Sequence, residues 1–125
     1  MKKGLLLLIA FFTIFMVSCS DRTGFEVISA IEGKAMMDED ASIILLDVRT
    51  SVEYNNEHIE GAMLLTLDNI EATANRVIPD KTATYIIYCR SGNRSNQASE
   101  LLVDMGYENI YDMGGIIDWP YDIVS

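Results

Sequence analysis

The sequence predicts a single α/β domain with a central, mainly parallel sheet flanked by helices on both faces. Three observations point there. Short β-favouring apolar runs alternate with amphipathic segments, helix-capping signatures follow the runs closely, and 125 residues suit one hydrophobic core.

Phe25 to Ile28 fits an edge strand. Ser29 followed by Glu32 forms a capping box, in which each side chain satisfies an orphan amide of the other, and predicts a helix through Met37. Ser42 to Val48, SIILLDV, is too short for a stand-alone helix and is bounded by acidic turns, as buried parallel strands are. Thr50 and Glu53 form a second capping box, opening a short helix over Ser51 to Glu57 before a turn at Glu60 and Gly61.

Met63 to Leu65 is then a short strand, and Asp68 is placed to cap a helix carrying Ile70, Ala74 and Val77. That helix has to stop before Pro79, because the residue preceding proline disfavours the helical region. Thr84 to Tyr88 is the next strand. Ala98, Leu101, Leu102 and Met105 recur on one helical face, with Gly106 at the position of a C-terminal cap. Asn109 to Met113 forms a last strand leading into Gly114 and Gly115, and Trp119, Pro120 and Tyr121 form a short tail, with the aromatics as core or rim.

The N-terminus has a different character. Residues 1–18 read as a bacterial export signal: Lys2 and Lys3, an uncharged apolar run from Leu5 to Val17, and the small Ser18 before Cys19. The apolar stretch falls short of the ~20 residues a membrane-crossing helix needs. Met16 to Cys19, MVSC, resembles the lipobox of bacterial lipoproteins, with Met16 where Leu is preferred. The resemblance implies acylation of Cys19 and a chain anchored by lipid to a bacterial membrane, facing the periplasm or the cell exterior. Residues 19–24 would be a tether and residues 25–125 the folded domain.

Removing residues 1–18 would leave 7 basic against 19 acidic residues, a net charge of −12. Such a surface makes nucleic acid a poor partner and does little to draw in small anions, so any anion site needs local positive charge. With Cys19 acylated, Cys89 would be the one free thiol, and no internal disulfide could form. One histidine, His58, and one free cysteine offer no clustered metal-ligand spacing.

The segment CRSGNR, Cys89 to Arg94, falls between a strand ending at Tyr88 and a helix over Ser95 to Met105. Ligands of open α/β sheets bind at this end of the strands. A loop folded back ahead of a helix start turns several N–H groups inward, and the helix end adds about half a positive charge. Gly92 permits backbone angles closed to other residues, and Arg90 and Arg94 add two permanent cations. Cys89 is therefore expected to be a reactive, negatively charged nucleophile rather than an inert core cysteine.

The motifs LLDVRTSVEY (Leu45 to Tyr54), HIEGA (His58 to Ala62), YCRSGNRS (Tyr88 to Ser95) and GGIIDW (Gly114 to Trp119) occur in the order found in the rhodanese-like sulfurtransferases. From about Phe25 to Trp119 the chain resembles that family, although Glu60 stands where the family usually has Pro. The resemblance implies that Cys89 attacks the outer sulfur of a donor such as thiosulfate, becomes a persulfide, and passes the sulfur to cyanide or a thiol. Arg90, Ser91, Gly92, Asn93, Arg94 and Ser95 would bind the substrate, the two arginines orienting an oxyanion and stabilising the departing sulfite. Asp47 and Arg49 would pair near the loop base, and His58 falls at a position that is usually structural. The chemistry needs no cofactor, and a protein partner stays open.

Two rivals are a membrane-tethered binding or redox-sensing module without catalysis, and a cysteine phosphatase or arsenate reductase. An intact CRSGNR loop disfavours the first. The second class separates its cysteine and arginine by five residues, whereas four lie between Cys89 and Arg94 and Ser95 occupies the next position.

Overall fold

A computed structural model describes residues 24–125. The expected export segment and Cys19 lie outside them. In chain order the elements are β1 (Glu26–Val27), α1 (Ala30–Glu39), β2 (Ile44–Asp47), α2 (Ser51–Asn56), β3 (His58–Ile59), β4 (Met63–Leu64), α3 (Ile70–Val77), β5 (Thr84–Cys89), α4 (Asn93–Asp104), β6 (Asn109–Gly115) and β7 (Ile123–Val124). Short 3₁₀ turns cover Leu67–Asn69 and Ile116–Asp118. Among the described residues no helix is long and apolar enough to cross a membrane.

The main sheet has the order β1-β6-β5-β2-β4, with every neighbouring pair parallel. Both faces are covered, so side chains alternating along β5 enter two different cores. Ile87 and Cys89 pack with Leu46 and Ile110 towards Ile70 and Ala74 of α3 and Ala98 and Leu102 of α4. Ile86 and Tyr88 pack with Leu45 and Met113 towards Met36 and Met37 of α1 and Tyr54 of α2. Each fully buried Leu or Ile in these layers contributes ~1.5–3 kcal/mol of transfer free energy. Gly33 allows α1 to press onto β6, since a Cβ there would collide with the Met113 side chain.

Both capping boxes form: Ser29 with Glu32 opens α1, and Thr50 with Glu53 opens α2. Asp68, by contrast, caps nothing. The 3₁₀ turn runs directly into α3, and its backbone bonds, Asn69 N–H to Thr66 O at 2.9 Å and Ile70 N–H to Leu67 O, occupy the amides that a cap would serve. Beyond Trp119 the tail is also more ordered than a simple closing segment. Ile123 and Val124 pair antiparallel with Ile59 and His58, a two-stranded ribbon apart from the main sheet.

Two boundaries matter for the site. β5 extends one residue further than predicted, so Cys89 is its last member, and α4 starts at Asn93 rather than Ser95. The connection is thereby only Arg90, Ser91 and Gly92. Gly92 makes this tight turn at φ +110°, the left-handed region that glycine enters without steric cost. On β6 a register shift opposite Ile87 and Tyr88 admits an extra residue and sets Gly115 beside Cys89.

Candidate active site

Cys89 ends β5 at the carboxyl edge of the sheet, buried to 1% exposure and not disulfide-bonded. The Gly92 N–H donates to its Sγ across 3.0 Å, the geometry of an amide aimed at a negative or polarisable sulfur. The first intrahelical bond of α4 runs from the Asn96 N–H to the Gly92 carbonyl, so the amides of Asn93, Arg94 and Ser95 precede the helix ladder. The helix start thus faces the turn that carries the sulfur.

Gly115 closes the other side. A Cβ on Gly115 would overlap the Arg90 carbonyl oxygen and come within 2.6 Å of the Ser91 Cα, so only glycine lets β6 lie this close to the turn. The Ile117 N–H donates to the same Arg90 carbonyl at 3.3 Å. The GGIIDW segment therefore acts as the wall of the turn.

The predicted substrate-binding residues around Gly92 divide into three groups. Arg90, Ser91 and Asn93 are exposed around the turn, as substrate-binding groups need to be. Ser95 is not: it is fully buried, and its hydroxyl donates to the Gly92 carbonyl at 3.0 Å, fixing the turn from beneath. Arg94 is half-buried and already engaged. Its Nη1 and Nη2 donate to Glu53 Oε1 at 2.7 Å and Oε2 at 3.0 Å, a bidentate pair between α4 and α2. Of the two cations expected beside the sulfur, Arg94 is paired with Glu53, while Arg90 has no ion-pair partner among the described residues.

Glu53 also keeps its capping role, its Oε1 accepting from the Thr50 N–H at 3.2 Å and the Thr50 hydroxyl at 3.0 Å. The Arg94 guanidinium beside it holds its carboxyl down at about 2. Reciprocally, Glu53 holds Arg94 above the usual guanidinium range, and Cys89, within Coulombic reach, adds to the rise. Sequence reasoning assigned Glu53 to its capping box alone. The spacing from Thr50 announces that role, whereas contact with Arg94 depends on tertiary placement.

Asp47 and Arg49 form the expected pair, fully inside the protein. Arg49 Nη2 lies 2.8 Å from Asp47 Oδ2 and its Nε 3.0 Å from Oδ1, while Nη2 also donates to the Glu57 carbonyl at 2.7 Å. The Tyr88 hydroxyl donates to Asp47 Oδ2 at 2.7 Å and accepts from the Ile59 N–H at 3.1 Å. Burial pushes the Tyr88 phenol up, keeping it a neutral donor to that carboxylate. This network sits on the opposite face of β5 from Cys89 and ties β2, β3 and β5 together beneath the turn.

His58 stacks on Tyr54 with ring centroids 3.8 Å apart, and its Nδ1 meets the Tyr54 carbonyl at 2.8 Å. Its ring is committed to packing. Among the described residues no three His, Cys, Asp or Glu side chains cluster as metal ligands would.

Residues 29–120 match the family described as Rhodanese-like domain. The thiosulfate sulfurtransferase PspE of Escherichia coli is 37% identical over 73 residues, spanning 58% of this chain and 70% of the relative. A sulfurtransferase of Allochromatium vinosum is 36% identical over 78 residues, 62% of this chain and 71% of the relative. A solved E. coli rhodanese with anions is similar at a TM-score of 0.62 and 34% identity, covering 66% of this chain and 98% of that one.

Proposed function

The chain belongs to the rhodanese-like domain family of sulfurtransferases, and from that premise we propose that it moves a sulfane sulfur from a donor such as thiosulfate to cyanide or a thiol through a persulfide on Cys89. The observation that carries the proposal is the Gly92 amide held 3.0 Å from the Cys89 sulfur at the mouth of a helix. A sulfur so placed has a donor poised for negative charge before reaction and after it.

In the first half-reaction the Cys89 thiolate attacks the outer sulfur of thiosulfate. A bond forms between the two sulfurs, the bond to the sulfonate sulfur breaks, and its electron pair leaves with sulfite. The persulfide then carries the negative charge on its terminal sulfur, which the amides at the turn and the helix start stabilise. In the second half-reaction cyanide or a thiolate attacks that terminal sulfur, and the electron pair of the breaking bond returns to Cys89. Arg90, exposed at the rim, is the cation available to an incoming oxyanion.

Phosphoryl chemistry fits less well. Its arginine has to grip a tetrahedral anion, and Arg94 is instead clamped by Glu53. The proposal extends to export and lipid anchoring through Cys19, supported by Lys2, Lys3, the apolar run to Val17 and the MVSC string. Incorporation of a labelled fatty acid by the full chain, lost in Cys19→Ser, tests that part.

Thiocyanate formation from thiosulfate and cyanide tests the chemistry. The wild-type protein should turn over and Cys89→Ser should not; inactivity of the wild type with every sulfur donor would instead support a binding module.

A further inference from the structure

The ion pairs among the described residues are Lys34–Asp38, Asp47–Arg49 and Glu53–Arg94. Glu53–Arg94 lies at the start of α4 beside the turn and is internally neutral. Of the two arginines in the CRSGNR segment, only Arg90, exposed at the turn, has no ion-pair partner among the described residues. The Glu53 side chain is 28% exposed and Arg94 31%, so the pair lines the surface near the turn instead of lying within the core.

A donor arriving at Cys89 meets this arrangement with its own charge. Thiosulfate is a dianion and expels sulfite, also a dianion. An alkyl thiosulfonate presents the same sulfane sulfur on a similar tetrahedral centre with carbon in place of one oxyanion. It is a monoanion and expels a sulfinate monoanion. In both reactions the thiolate gains the sulfane sulfur and the leaving group keeps the bonding pair, so the two differ by one negative charge throughout.

Resting on the sulfurtransferase reading, we propose that Glu53 is a specificity-determining residue that cancels the charge of Arg94 and so disfavours doubly charged sulfur donors relative to singly charged ones of the same shape. Glu53 acts through Arg94, the second residue of α4, whose start faces the turn that carries the Cys89 sulfur. The paired groups touch, far inside the ~8 Å over which salt screens charges at physiological ionic strength. The site is therefore tuned towards persulfides and other singly charged or neutral donors.

Glu53→Gln removes the charge while its amide oxygen still accepts from the Thr50 N–H, which preserves the helix cap. The experiment compares kcat/KM for thiosulfate and methanethiosulfonate at fixed ionic strength in the wild type, Glu53→Gln and Glu53→Asp. In Glu53→Gln the thiosulfate-to-thiosulfonate ratio should rise about three- to tenfold, through a lower KM for thiosulfate. Glu53→Asp keeps the charge and should keep the ratio near wild type. A purely structural role for Glu53 would depress both donors together, and an unchanged ratio in Glu53→Gln, or an equal shift in Glu53→Asp, overturns the proposal alone. A wild-type protein that accepts sulfur from neither donor overturns the sulfurtransferase reading and this proposal with it.

Discussion

The Gly92 amide and the Cys89 sulfur, three residues apart, meet at 3.0 Å because Gly92 adopts φ +110°. Any other residue would carry a Cβ into the left-handed region at ~1–2 kcal/mol. Gly92→Ala should therefore lower stability by about that amount in denaturant titration. It should also depress turnover per folded molecule, because relaxing the strain turns the amide away from the sulfur.

In the proposed reaction Arg90 and Arg94 would contribute to donor binding by different routes. Replacing both with Ala should raise the thiosulfate KM steeply, and an unchanged KM would rule out their role. Arg94→Ala alone strands the Glu53 carboxylate beside the site, so adding Glu53→Gln should recover part of the lost thiosulfate affinity. Steady-state kinetics of the two single variants and the double variant measure that coupling.

The Glu53–Arg94 clamp also links stability to acid. Glu53 has its pKa lowered from 4.5 to about 2 in the folded protein, so its contribution is fully present above pH 4.5 and is lost as pH falls towards 2. The difference in Tm between the wild type and Glu53→Gln should accordingly be constant from neutral pH to about 5 and shrink over the more acidic window. A difference that does not change across that window would contradict the assigned geometry.

Tyr88→Phe removes a hydroxyl that both donates to Asp47 and accepts from the Ile59 amide. Leaving those buried groups short of a partner should cost ~1–3 kcal/mol in equilibrium unfolding. Thiosulfate KM should stay at the wild-type value, since this network lies on the face of β5 opposite Cys89.

Much of this architecture is legible in the sequence wherever local chemistry decides it. Ser29 with Glu32 and Thr50 with Glu53 mark two helix starts because capping is a contact between residues three apart. The buried runs at Ile44–Asp47 and Thr84–Cys89 stand out because both faces of the sheet are covered and every fully buried position is apolar or hydrogen-bonded. Cys89 itself is marked by its place between strand and helix. The two-residue strands His58–Ile59 and Ile123–Val124 are illegible, being too short to show alternation and existing only because the chain brings them together. Arg94 and Ser95 show the same limit: one is claimed by Glu53, 41 residues earlier, and the other turns beneath Gly92. Asp68 is a good capping residue by type, yet the 3₁₀ turn moves the helix start to Asn69 and commits the Ile70 amide to the Leu67 carbonyl.

In the proposed reaction Cys89 carries sulfur between donor and acceptor. An intact-mass spectrum of the domain with Cys19 removed, before and after thiosulfate and beside a Cys89→Ser control, tests it most directly. The mass should rise by one sulfur atom, a gain reversed by cyanide and absent from the control. No added sulfur on the wild-type domain, or the same addition in the control, would contradict it.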